Sequence, residues 1–187
     1  MTAQADGAGA WRAVLPASPV VRLFGLSMIE AGRPLQAQGY VAVTPEGSAA
    51  QLRAGAGAVV MGAPTREPRI LAVDFDRKGG TVVSGAGPPM AAPKLRIDGR
   101  ERGDVRTDAA GRFSLALNEP LAPGSHELEV GQGAPRDPVR AIVSPAESLT
   151  LAPFVAARTE TGWRIDWMTP GGGVQTTLLI APRGPAP

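Results

Sequence analysis

Apolar and polar residues alternate with a period of two along most of this chain, the pattern of half-buried strands. Leu71, Val73 and Phe75 form one face of a first segment, and Thr81-Val82-Val83-Ser84 forms a second that ends at Gly85 and the turn residues Gly87-Pro88-Pro89. Leu95 and Ile97 lead into Asp98-Gly99, a hairpin-type turn signal. Phe113, Leu115 and Leu117 face one way while Ser114 and Ala116 face the other. His126, Leu128 and Val130 alternate with Glu127 and Glu129, and Val139, Ala141 and Val143 close the series. Short strands at about 10-residue spacing, divided by Gly/Pro/Asp turns, predict an all-β sandwich. Residues 46–58 are the one candidate for a short helical turn.

The chain is also similar to itself. Asp6-Gly-Ala-Gly-Ala-Trp11 matches Asp108-Ala-Ala-Gly-Arg-Phe113 at an offset of 102, which also places Leu15 on Leu117, Phe24 on His126, Leu26 on Leu128 and Met28 on Val130. After a two-residue adjustment, Val41, Val43 and Pro45 fall on Ala141, Val143 and Pro145. A second correspondence, at an offset of 92, places Leu71, Val73 and Phe75 on Trp163, Ile165 and Trp167, and Gly79-Gly80 on Gly171-Gly172. These matches divide the chain into a partial repeat over 1–66, a complete one over 67–146 and a C-terminal strand pair over 147–187. The first copy lacks counterparts to 68–107, and half a sandwich would expose sheet edges. Strands at 163–168 and 173–180 are therefore expected to fold back and complete it, as a permuted module joined to an ordinary one.

The order of a strand, Gly85-Ala-Gly-Pro-Pro, Leu95-Arg-Ile-Asp-Gly99, Asp108-Ala-Ala-Gly-Arg-Phe113 and Leu121-Ala-Pro-Gly-Ser-His-Glu-Leu-Glu-Val130 resembles the bacterial immunoglobulin-like repeats of surface and envelope proteins. The resemblance covers about 80 residues closely and the N-terminal 45 in part. It implies immunoglobulin-like β-sandwich repeats, one complete and one partial or permuted, serving as a stalk, spacer or ligand-binding module at the envelope or surface. It implies no shared catalytic residues. The motifs encode turns more than chemistry.

Composition narrows the function classes. The chain of 187 residues is 43% hydrophobic, enough for a core, with 24 Gly and 19 Pro but no collagen period. A net charge of +2, with arginines scattered singly, offers no cationic cluster for nucleic acid. Zero cysteines exclude disulfides, thiolate catalysis and Cys-ligated zinc within it. No stretch approaches ~18 apolar residues, so no helical membrane span is predicted. The opening MTAQADGAGAW has no charged n-region or apolar h-region, so no signal peptide is predicted there.

Candidate sites are few. His126 is the single histidine; Ser125, His126 and Asp108 would supply a triad by residue type, but neighbours on a strand point to opposite faces. Asp74 and Asp76 place two carboxylates on one strand face and, with Asp98, Asp104 and Asp108, are the candidate calcium ligands. Turn formation alone explains Asp98 and Asp108. Trp163 and Trp167 share a face and, with Tyr40, form the candidate sugar platform; buried, they would be core. The glycine clusters at 54–57, 79–80 and 171–173 lack the following Lys-Ser/Thr and helix of a phosphate cradle. The expectation is a non-enzymatic structural or interaction module without a cofactor, binding a protein partner or an envelope polymer. Its rivals are a carbohydrate-binding module using Trp163 and Trp167, and an accessory domain of an envelope enzyme or secretion system. Nothing in the sequence sets the oligomeric state.

Overall fold

The structure, a computed structural model, describes residues 2–62, 65–131 and 138–181. Among these the protein is all-β: fourteen strands in three antiparallel sheets and no helix. The N-terminal sheet holds β1 (Arg22–Glu30), β2 (Arg33–Val43), β3 (Ala49–Arg53) and β4 (Val59–Val60) in chain order. Residues 46–58, the candidate helical turn, instead supply β3 and the turn after it, because Ala50 and Leu52 point into a core while Gln51 points out. Period two decides against a helix.

Next come β5 (Arg69–Asp76), β6 (Thr81–Ala86), β7 (Lys94–Ile97), β8 (Arg100–Asp104), β9 (Arg112–Ala116), β10 (Gly124–Gly131) and β11 (Val139–Val143). β12 (Phe154–Thr159), β13 (Gly162–Met168) and β14 (Val174–Ile180) finish the chain's described strands. One four-stranded sheet has the order β11-β10-β7-β8. The third sheet is central and six-stranded, in the order β12-β13-β14-β5-β6-β9. The C-terminal strands thus do not join the sheet of β1–β4. They add to β5 through β14, extending the sheet of the 67–146 unit, and face β1–β4 across a shared core.

The central sheet is covered on both faces. On one, Ile70, Val73, Phe75, Val83, Phe113 and Leu178 pack against Leu95, Ile97, Leu128 and Val130 of the β11-β10-β7-β8 sheet. On the other, Ala72, Ile165, Trp167 and Leu179 pack against Ala42, Ala50 and Leu52 of the N-terminal sheet and Ala58 of the loop before β4. The result is three layers with two cores. A strand buried on both faces reads as a near-continuous apolar run, and β5 (RILAVDFD) does so over Ile70–Val73, whereas β14 (VQTTLLI) carries buried Gln175, Thr176 and Thr177. A bulge between Ile70 and Ala72 shifts the alternation in β5, so that Ile70, and not Leu71, joins Val73 and Phe75 in the core.

One turn recurs. At Asp6–Ala10, Thr44–Ser48, Asp76–Gly80, Asp108–Arg112 and Thr169–Gly173 the first N–H donates to the fifth carbonyl, and the glycine N–H at the fourth place donates to the first carbonyl. At the three aspartates, Oδ1 also accepts the N–H groups two and four residues on. The fourth residue takes a positive φ, hence glycine. The match of Asp6–Trp11 with Asp108–Phe113 is carried by this turn. Phe113 enters β9 and is buried, whereas Trp11 is outside any strand and exposed.

The loop after β3 lies directly on the central sheet. Gly57 has φ +75°, and a Cβ there would lie 2.5 Å from Ser84 Oγ and 2.6 Å from Val82 Cγ1. Gly57→Ala is expected to destabilise the protein by about 2–4 kcal/mol, combining left-handed backbone strain with overpacking. Urea unfolding of the variant checks this; an unchanged midpoint would mean that the loop does not seat as described.

Candidate functional site

Besides Thr81 and Ser84 on β6, the buried polar side chains of the central sheet lie on β14 and its two neighbours. Thr176 and Thr177 are adjacent, so they point to opposite faces. Thr177 pairs across the ladder with Asp74 on β5, and Thr176 with Asp166 on β13. Each threonine hydroxyl donates to its aspartate at 2.5 Å. Both aspartates are 1% exposed. Asp74 Oδ1 also accepts Gln175 Nε2 at 3.1 Å, and Oδ2 accepts the Ala58 N–H at 2.7 Å. Gln175 in turn accepts the Gly55 N–H and donates to the Arg53 carbonyl. Asp166 accepts Arg164 Nε at 3.2 Å and the Glu147 N–H at 2.8 Å. Each carboxylate therefore ties a segment from outside the central sheet to it: Asp74 the 53–58 loop, Asp166 the connection that follows β11.

These contacts locate the residues singled out from the sequence. Asp74 faces the N-terminal sheet and is occupied by three donors, while Asp76 Oδ1 caps its own turn through the Lys78 and Gly80 N–H groups. No group of three or more potential metal ligands lies together among the described residues. Trp167 is 0% exposed, donates Nε1–H to Thr177 Oγ1 at 3.0 Å, and meets the Tyr40 ring edge-on at 5.7 Å. It has no face to offer a sugar ring. Trp163 is half-buried at the end of the same core; it donates Nε1–H to Glu46 Oε2 at 3.0 Å, and the Arg158 guanidinium covers its ring at 5.4 Å. Glu46, bonded by its own backbone N–H as well as by Trp163 and Arg158, has its pKa lowered to about 2.

His126 meets Asp98, not Asp108 or Ser125. Nδ1 lies 2.8 Å from Asp98 Oδ2 and Nε2 lies 2.8 Å from the Ala122 carbonyl. Partial burial disfavours the charged ring, but the two acceptors outweigh it and raise the pKa above the ordinary value. Both ring nitrogens are occupied, so neither serves a serine. Asp98 and Gly99 form the β7–β8 turn with positive φ at both positions, as the Asp-Gly signal requires.

The surface feature that alternation alone did not single out is the far half of the β1–β2 hairpin. β3 supports β2 only over Gly39–Val43. Beyond it, Ser27–Glu30 pairs with Arg33–Gln36 as a two-stranded arm closed by Ala31 and Gly32, both at positive φ. The arm carries Leu26 (49% exposed), Met28 (57%), Ile29 (80%) and Leu35 (43%) in solvent. β1 is also the outer strand of its sheet, with an unpaired backbone edge among the described residues. Soluble proteins blunt exposed apolar edges of this kind unless they use them. The sequence did place Leu26 and Met28 on Leu128 and Val130, but the latter are buried because the β11-β10-β7-β8 sheet packs on the central sheet.

Comparison with family models, curated proteins and solved structures returns no match for this chain.

Two predictions rest on the titrating groups. Burial raises the Asp74 carboxyl above its ordinary value against the opposing effect of its donors. Its contribution to stability is therefore complete below the unfolded pKa of about 3.9 and is lost as pH rises through the raised folded value. Asp74→Ala should cost roughly 2–4 kcal/mol by stranding buried donors, and the gap from wild type in urea unfolding should narrow as pH rises from 4. A gap that widens with pH would reverse the sign. For His126, whose pKa is also raised, the contribution is present below about pH 6.5 and declines as pH rises through the folded value. The stability difference between wild type and His126→Gln should accordingly be larger at about pH 5.5 than at about pH 8.5, and a difference independent of pH would sink the Asp98–His126 pairing.

Proposed function

We propose that this chain is a non-catalytic interaction module built of immunoglobulin-like units, acting within a bacterial envelope or surface assembly. The observation that carries this reading is the apolar β1–β2 arm, held out in solvent by a scaffold whose two cores lie elsewhere. Edge strands and sandwich faces are the surfaces by which such domains take partners.

Strand order supports the immunoglobulin-like part. Within 67–146, β5-β6-β9 lie in one sheet and β8-β7-β10-β11 in the other, so the chain crosses between sheets after β6, β8 and β9. Pairing register supports the repeat. Arg22↔Val43 and Phe24↔Val41 of β1–β2 fall on Gly124↔Val143 and His126↔Ala141 of β10–β11 at the offsets read from the sequence. The envelope setting rests on the resemblance of the turn-and-strand motifs. An accessory domain of an envelope enzyme or secretion system would use the same arm. The carbohydrate alternative retains only Trp163, under Arg158.

The test is a photo-crosslinking residue placed at Met28 and, separately, at exposed Ile142, in the cells that produce the chain. Protein adducts are expected from Met28 and not from Ile142. Equal yields would remove the arm from the reading. Saturable heat on titration with an envelope polysaccharide, abolished by Trp163→Ala, would replace the reading with sugar binding.

A further inference from the structure

The open edge of β1 has a specific complement in the chain itself. In β10, the residues equivalent to Leu26–Ile29 at the offset of 102 are Leu128, Glu129, Val130 and Gly131. Their outer edge is covered by an antiparallel strand, through Leu128↔Ile97, Glu129↔Arg96, Val130↔Leu95 and Gly131↔Lys94. At β1 the corresponding edge is bare among the described residues. What fits there is an extended, antiparallel segment with apolar side chains two residues apart.

β1 meets that description when paired with a second β1. Its sequence is Arg22-Leu-Phe-Gly-Leu-Ser-Met-Ile-Glu30. An antiparallel pair about a two-fold axis through Leu26 sets Arg22 opposite Glu30 of the second copy, Leu23 opposite Ile29, Phe24 opposite Met28, Gly25 opposite Ser27, and Leu26 opposite itself. Charges meet opposite charges at both ends and apolar residues meet apolar residues between them, the cross-strand combinations that stabilise a sheet. A two-fold perpendicular to the sheet keeps side chains on matching faces only if it passes through a residue. Moving the axis to Ser27 puts Glu30 opposite Phe24, and moving it to Gly25 puts Arg22 opposite Met28. Only the Leu26 register pairs both charges. The irregularity between Gly25 and Ser27 puts the extra residues on β2, so β1 keeps its alternation along the open edge.

We infer that this face is a self-association surface: two copies pair antiparallel through β1, centred on Leu26, and join their N-terminal sheets into one continuous sheet across the two-fold. This rests on the reading of the arm as a docking element and names its occupant as a second copy of the chain.

The chain has no cysteine, so a single introduced thiol reports the register directly. Directly opposed residues in an antiparallel pair lie ~4.5–5.5 Å apart at Cα, within disulfide range. Leu26→Cys in the full chain should give a disulfide-linked dimer under mild oxidation. Ile29→Cys, whose two copies would lie about 20 Å apart in this register, should not. Sedimentation of wild type over a concentration series should show a dimer, and Leu26→Lys, at an exposed position, should weaken it at least tenfold while leaving the far-ultraviolet spectrum unchanged. A mixture of Phe24→Cys and Met28→Cys chains should cross-link where neither alone does. A protein monomeric at all concentrations overturns the inference, as does a dimer unmoved by Leu26→Lys or cross-linked equally through Ile29→Cys. In the monomeric case the docking reading of the arm is still decided separately by adducts from Met28, which would then be with other proteins.

Discussion

The organisation of this protein depends on a strand, β14, buried on both faces whose adjacent threonines must each find a partner in a different core. Thr177 and Thr176 find them in Asp74 and Asp166, on the strands to either side. A sheet with one wet face could turn its polar residues outward. A sheet covered on both faces cannot, and an unmet hydroxyl or carboxylate there costs more than the bond it could have made. The same carboxylates hold the Ala58 and Glu147 N–H groups of the flanking segments. Layer stacking and strand register are therefore coupled through two side-chain pairs. A one-residue slip of β14 would send each threonine into the other core, so that no more than one aspartate would still face a threonine hydroxyl.

This coupling explains which parts of the architecture were legible in the chain. Alternation over 112–117, 124–130 and 139–143, together with Asp98-Gly99, marked β9, β10, β11 and the β7–β8 hairpin, because each of these strands has one face inward. Strands of the central sheet gave a subtler signal. Leu71, Val73 and Phe75 look like one face, yet the bulge after Ile70 breaks that alternation, and bulges carry no residue signature strong enough to be read in advance. β8 (RERGD) has too few apolar residues to stand out and β12 (FVAART) lacks an apolar/polar alternation; both become strands because a neighbour offers a ladder.

The candidate residues divide in the same way. Residue type could flag Asp74 as a carboxylate near a turn, but what it binds is settled by residues 16 and over 100 positions away, Ala58, Gln175 and Thr177. Asp166 drew no notice, since a single carboxylate between Ile165 and Trp167 carries no local motif. Trp163 and Trp167 were seen to share a face, but the two ends of that face differ: one is enclosed beside Tyr40, the other lies at the margin beneath Arg158. Period-two reasoning assigns a face, not a depth. Depth comes from the layer packed above it.

The same distinction governs the β1–β2 arm. Its residues and pairing register parallel those of β10–β11, yet one hairpin is covered and the other projects. The difference lies in what stands beside each: β7 on the outer edge of β10, and none of the described strands on the outer edge of β1. A two-stranded ribbon is marginal by itself in water, but here its base is fixed by β3 and by the core under Leu23, Tyr40 and Ala42. The arm is therefore held in the extended, paired form that another strand requires, and less ordering remains to be done on contact. Its apolar residues cannot be accounted for by the folding of the arm itself, because they touch neither core. The proposed docking of another strand gives them a role.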